Sequence, residues 1–117
     1  MTQYQITTSK GFNGWAAKTQ YVLGETLDGT RVLELTTMKV RGGASSSATV
    51  YYLKGEDGYQ TKTTALFQDF AKYNLAQSHI KRVTEKSITE AHKIALLQMD
   101  DLVAEATAFY EKLDNES

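Results

Sequence analysis

Apolar and polar positions keep two different rhythms along this chain. From Tyr4 to Phe67 they fall into short runs, rich in β-branched and aromatic residues and punctuated by glycine, the signature of strands joined by tight turns. The spacing predicts strands at Tyr4 to Thr8, Gln20 to Thr26, Arg31 to Arg41, Ala44 to Lys54 and Tyr59 to Phe67. The turns fall at Leu27-Asp28-Gly29-Thr30, Gly42-Gly43 and Gly55-Glu56-Asp57-Gly58. Lys10-Gly11-Phe12-Asn13-Gly14-Trp15 reads as a structured loop, its glycines bracketing two large aromatics. Residues 68–76 admit a period of two or a turn or two of helix; Phe67, Phe70 and Tyr73 within seven positions and no start cap favour strand.

From Ser87 the period changes. Ser87-Ile88-Thr89-Glu90 has the form of a capping box. Beyond it Ile88, His92, Ala95, Met99, Leu102, Ala106, Phe109 and Leu113 step by four and three, a heptad seam flanked by Leu96, Val103 and Tyr110. This predicts one helix from Ser87 to Leu113, whose 27 residues would reach roughly 40 Å. The seam is expected to meet a second subunit, antiparallel because the helix begins basic and ends acidic. The fold class that follows is α+β: an antiparallel sheet of about five strands, then a long C-terminal helix, in one domain spanning 1–117.

Composition narrows the function. A net charge of -1 over 117 residues argues against a general nucleic-acid binder, which needs an excess of cations to neutralise phosphates. The charge is locally uneven. Lys72, Lys81, Arg82, Lys86 and Lys93 cluster around the helix start, where they oppose its dipole, while Asp100, Asp101, Glu105, Glu111, Asp114 and Glu116 follow. An anionic ligand would account for those cations; a solvated face would account for them equally well. The chain has no cysteine, and neither a signal-peptide pattern nor an apolar run of membrane length, so a cytoplasmic protein is the expectation, without a membrane partner.

Catalytic chemistry is hard to assemble. Two histidines thirteen positions apart, with no cysteine, make a metal site improbable on chemistry, and no cofactor is expected. His92 is the one imidazole near the basic segment and hence the candidate base, although a histidine on a helix seam is more often a satisfied packing residue. Asp100 and Asp101 point about 100° apart as helix neighbours and do not form an acid/base pair. Binding is better supplied. Lys39 and Arg41 lie opposite Ser45, Ser46, Ser47 and Thr49 on one ribbon, which is either a ligand surface or a soluble edge strand. Lys81, Arg82 and Thr84 stand ahead of the helix, placed for phosphate, and Phe67, Phe70, Tyr73 and Trp15 can stack on a base or fill the core.

In this order, the Leu35 to Lys39 and Ser45 to Val50 hairpin, Phe67-Gln68-Asp69-Phe70, and Lys81-Arg82-Val83-Thr84-Glu85-Lys86 before a long helix resemble the phage Thoeris anti-defence proteins of the first type. The resemblance implies a homo-oligomer, at least a dimer and up to a hexamer, that sequesters cyclic ADP-ribose-type signals, and in some members cyclic oligonucleotides, without cleaving them. It implies an aromatic near Phe67 or Phe70 for the base and a cation near Arg41 or Arg82 for phosphate. Two other classes stand beside it. One is a protein-binding inhibitor of a bacterial defence complex, whose acidic helix face would have to form a continuous exposed stripe. The other is a nucleotide-cleaving enzyme, for which the chain offers few acid/base groups.

Overall fold

Long β-prone runs separated by glycine turns become antiparallel neighbours in chain order. The computed structural model describes residues 4–12, 14–26, 29–56, 59–63, 71–78 and 82–115. Strands β1 (Thr7–Gly11), β2 (Gly14–Thr26), β3 (Gly29–Val40) and β4 (Gly43–Glu56) form a meander. The outer edge of β4 is shared by β5 (Tyr59–Thr63), along its second half, and β6 (Ala71–Ser78), along its first. Helices α1 (Glu85–Leu96) and α2 (Met99–Asn115) complete the fold.

The α+β class therefore holds, but the sheet has six strands, not about five, and the helix is two helices. The strand reading of residues 68–76 holds for its described part, since 71–78 is β6. A further difference lies in β2, which starts at Gly14 and not at Gln20. Ala16, Ala17 and Lys18 are weak strand formers, and packing overrides propensity there: Ala17 is fully buried beneath α1, where a larger side chain would hold the helix off the sheet.

Cross-strand partners share a face, so the register defines what the helices cover. Thr19, Leu35 and Ala48 are aligned across β2, β3 and β4, as are Ala17, Thr37 and Ser46, with Leu33 beside Val50. Against this face lie Ala95 and, from α2, Met99, Leu102, Ala106 and Tyr110. From Ile88 to Ala106 the predicted seam is thus buried against the chain's own sheet. An apolar stripe with a three-four repeat suits either surface, and here the sheet takes it.

Helix α1 ends and α2 begins at Leu97-Gln98. The Leu97 amide bonds to the Ile94 carbonyl at 3.3 Å and the Gln98 amide to that of Ala95 at 3.0 Å, three residues back, not four. The α-helical pattern resumes with Leu102 to Gln98 at 3.0 Å. No glycine or proline marks the break. A straight rod of roughly 40 Å would leave a twisted sheet at one end, whereas the bend keeps the buried stripe continuous from Ala95 to Met99.

The helix also starts earlier than its sequence signature. Thr84 is the N-cap: its hydroxyl accepts from the Ser87 amide at 3.1 Å, and the Ser87 hydroxyl accepts from the Thr84 amide at 2.7 Å. Ser87 therefore closes the box instead of opening it. Thr84→Ala should lower stability by about 1 kcal/mol, read as a shift in the urea midpoint at unchanged slope.

Candidate functional site

Two-residue turns place side chains at the ends of the sheet, and the β3–β4 turn places cations there. Val40 pairs with Gly43, leaving Arg41 and Gly42 as the turn, with Gly42 at φ 84°, a conformation that favours glycine. Arg41 is held exposed at the tip, with Lys39 exposed just below it. The neighbouring β1–β2 turn projects Phe12, which is fully solvent-exposed at 106%. Phe12, Gly14, Lys39, Val40 and Arg41 line one open cleft of about 570 Å³. Beside it, the Lys10 ammonium lies 6.0 Å from the centre of the Trp15 ring, within cation–π range.

The start of α1 comes to this same end. Val83 packs with Ile6 and Trp15 around Ala17, Ala44, Ile88 and Ala91, and Ala44 is the cross-strand partner of Lys39. Arg82 and Lys86 are exposed there. The fold so brings Lys39 and Arg41 together with an exposed aromatic, at the end of the sheet where α1 begins. The Thr84 hydroxyl is engaged by Ser87 in capping. The first turn also carries Glu85, which accepts from the Thr8 hydroxyl at 2.9 Å and reduces the appeal of the helix terminus itself to phosphate. Phe67, Phe70 and Lys81 lie outside the described residues. Phe12 is the residue that sequence reading undervalued; an aromatic between glycines and beside Lys10 was the available signal.

The opposite end of the sheet is organised by an ion pair. Arg31 donates two hydrogen bonds to Asp114, at 2.9 and 2.8 Å, and its guanidinium stacks 4.4 Å from the centre of the Tyr110 ring. The hydrogen bonds raise the arginine's pKa and lower that of the carboxyl. Burial raises the Tyr110 phenol above its ordinary range. A small cleft of about 150 Å³, bounded by Leu23, Glu25, Thr26, Thr107 and Glu111, adjoins them.

Between the two ends, hydroxyls of β2 and β3 meet His92, and Ser46 of the serine-rich strand stands behind one of them. The imidazole is completely buried. Its Nε2 lies 2.8 Å from Thr19 Oγ1, and Thr19 donates its single hydroxyl proton to the Gln5 carbonyl at 2.8 Å. Thr19 can then only accept from the ring, so Nε2 carries the proton and Nδ1 is an acceptor. Thr37, 2.7 Å from Nδ1, donates to it and in turn accepts from Ser46 at 2.6 Å. The chain of bonds satisfies the neutral ring from both sides. Burial lowers the His92 pKa to about 4. A base needs reach and a pKa near the working pH, and His92 has neither; its role is to tie α1 to β2, β3 and β4.

On the other face of the sheet Glu34 is buried at 7% exposure and accepts from Gln20 at 3.1 Å and Tyr51 at 3.2 Å. Burial and the Glu34 carboxylate raise the Tyr51 phenol to about 12, so it stays a donor. Among the described residues there is no group of three His, Cys, Asp or Glu that could hold a metal ion, and no helix long and apolar enough to cross a membrane. No family model matches the chain, and no curated protein or solved structure matches it significantly.

Proposed function

We propose that the protein captures a cyclic nucleotide signal without cleaving it, as the anti-defence resemblance implies, using the basic end of its sheet. The observation that carries this reading is the convergence of Lys39 and Arg41 with Phe12 on one open cleft, at the end where α1 brings Arg82. Guanidinium and ammonium groups meet phosphate by charge-assisted hydrogen bonds, and an exposed ring offers a face on which a base stacks. Sequestration needs no more than this. The one described histidine supports the non-catalytic reading because it is buried, neutral and saturated with hydroxyl partners.

The rival reading, a protein-binding inhibitor that imitates phosphate with its acids, is less well supported. Asp101 and Glu105 lie on one row of α2 and Asp100 and Glu111 on another, with exposed Ala104 and Ala108 between them, and Asp100 and Asp114 are already engaged by Tyr4 and Arg31. The acids do not form one continuous stripe.

Calorimetry with a cyclic ADP-ribose isomer and with a cyclic dinucleotide is the test. A charge-assisted contact contributes about 1.5 to 3 kcal/mol, so Arg41→Ala should weaken binding roughly ten- to a hundredfold, with little change in melting temperature. Ligand released by heat should have its original mass. Absence of binding to every cyclic nucleotide would remove this reading, and a linear or hydrolysed product would replace it with an enzyme.

A further inference from the structure

At the end of the sheet held by Arg31 and Asp114, a stretch of β2 and one side of α2 form a groove. Tyr4 to Ile6 keep beside β2 only as far as Tyr21, where the two tyrosine rings meet and the Tyr4 hydroxyl turns to Asp100. From Val22 to Glu25, among the described residues, no strand runs along the outer side of β2. Alternate residues of such an edge turn their amide and carbonyl outward, a template for another extended chain. The cleft of about 150 Å³ lies between this stretch and α2. A bulge between Val22 and Gly24 lets Leu23 pack against the core and line the cleft. Gly24 is the cross-strand partner of Arg31 and shares its face, and its lack of a side chain leaves the space open: a Cβ there would meet nothing within 4 Å.

Size and charge decide what fits. Sites for free small molecules run from about 300 Å³ upward, whereas this cleft has room for one side chain. Its lining sets three carboxylates, Glu25, Glu111 and Asp114, against the single guanidinium of Arg31, which already holds Asp114 by two hydrogen bonds. Glu25 and Glu111 are exposed and call for a cation. A lysine or arginine can lay its apolar stem along Leu23 and keep its charge beside these acids. On the other face of β2, Val22 is exposed at 55%, an apolar neighbour for the next residue of an incoming strand.

We infer that the groove between β2 and α2 takes an extended basic peptide of another protein, which adds to β2 along Val22 to Glu25, puts a lysine or arginine into the cleft and a β-branched residue over Val22. The same edge of a second copy would bring acids to acids. The groove is independent of nucleotide capture, which uses the opposite end of the sheet.

Fluorescence anisotropy tests it with a labelled, end-blocked peptide that alternates lysine and valine, titrated with protein to about 1 mM. Binding should fall at least tenfold for a peptide with glutamate in place of lysine. It should fall as far for one of unchanged charge with proline in place of valine, which cannot pair as a strand. Gly24→Leu, which fills the cleft, and the paired reversal Glu25→Lys with Glu111→Lys should each weaken binding roughly tenfold. Neither should move the melting temperature, because the new side chains enter open space or replace exposed ones. Amides between Val22 and Glu25 should exchange more slowly in the complex. Absence of binding overturns the inference, as does a proline peptide that binds as tightly or wild-type affinity in both protein variants. A wild-type homodimer abolished by Gly24→Leu would give the groove to a second copy and overturn it too.

Discussion

His92→Ala should destabilise the protein by about 3 to 5 kcal/mol, a large part of the 5 to 15 kcal/mol that holds a domain of this size together. The substitution empties a fully buried site and leaves Thr37 without its acceptor and Thr19 without its donor, in a place water does not reach. The same geometry makes the wild type sensitive to acid. In the fold the ring has a pKa of about 4, while in the unfolded chain it titrates near its ordinary 6.5, so between these values the unfolded state binds the proton first. Stability is complete above pH 6.5 and falls by about 3 kcal/mol as pH drops to 4, at 1.36 kcal/mol for each pH unit. Denaturation midpoints measured across that window check it. His92→Gln, which keeps a donor and an acceptor, should fall between alanine and wild type in stability and lose most of the acid slope. An equally steep slope in that variant would place the titration elsewhere.

Leu102→Asp should be as damaging, for a reason that separates the two faces of one helix. Leu102 is 4% exposed, packed in the cluster that joins Leu33, Leu35 and Val50 to the helices. A carboxylate there would sit in an apolar cluster and costs about 3 to 5 kcal/mol, which lowers the thermal midpoint by more than ten degrees or prevents folding. Leu97→Asp, five residues earlier and on the outer side, should leave the midpoint where it is. Circular dichroism melts of the two variants side by side make the comparison. A folded Leu102→Asp monomer with a wild-type melt would mean that the stripe faces another subunit.

The sheet was legible because alternation and glycine turns are local signals, and the β3–β4 turn carries its own chemistry in Gly42. The first half of β2 was not, since Ala16 and Ala17 are strand residues by virtue of what α1 needs beneath it. The regular stripe from Ile88 to Tyr110 gave the helical period but not its partner. Over a few turns, spacings of 3.5 and 3.6 leave the same residues apolar, so a sheet and a second helix write nearly the same sequence. The bend at Leu97 has no residue of its own to announce it. At the site, Lys39, Arg41 and Arg82 stood out because exposed cations in clusters need a reason. Phe12 did not, because in sequence an exposed aromatic resembles a core one. His92 was visible as an odd residue in an apolar seam, but the hydroxyls that satisfy it come from two strands, with a third strand behind one of them, and no spacing rule connects them.

The order of the strands bears on how the chain reaches this arrangement. Each of β2 to β4 pairs with the strand before it, so the meander grows by closing loops of a few residues, each a small loss of chain entropy. The contacts that fasten the helices are of another kind: His92 meets Thr37 across 55 residues and Thr19 across 73. A ring that must be stripped of water before its hydroxyl partners can replace it gains little from partial docking. The helical layer therefore has reason to settle late, onto a sheet already assembled, and to be the first part released when the protein opens.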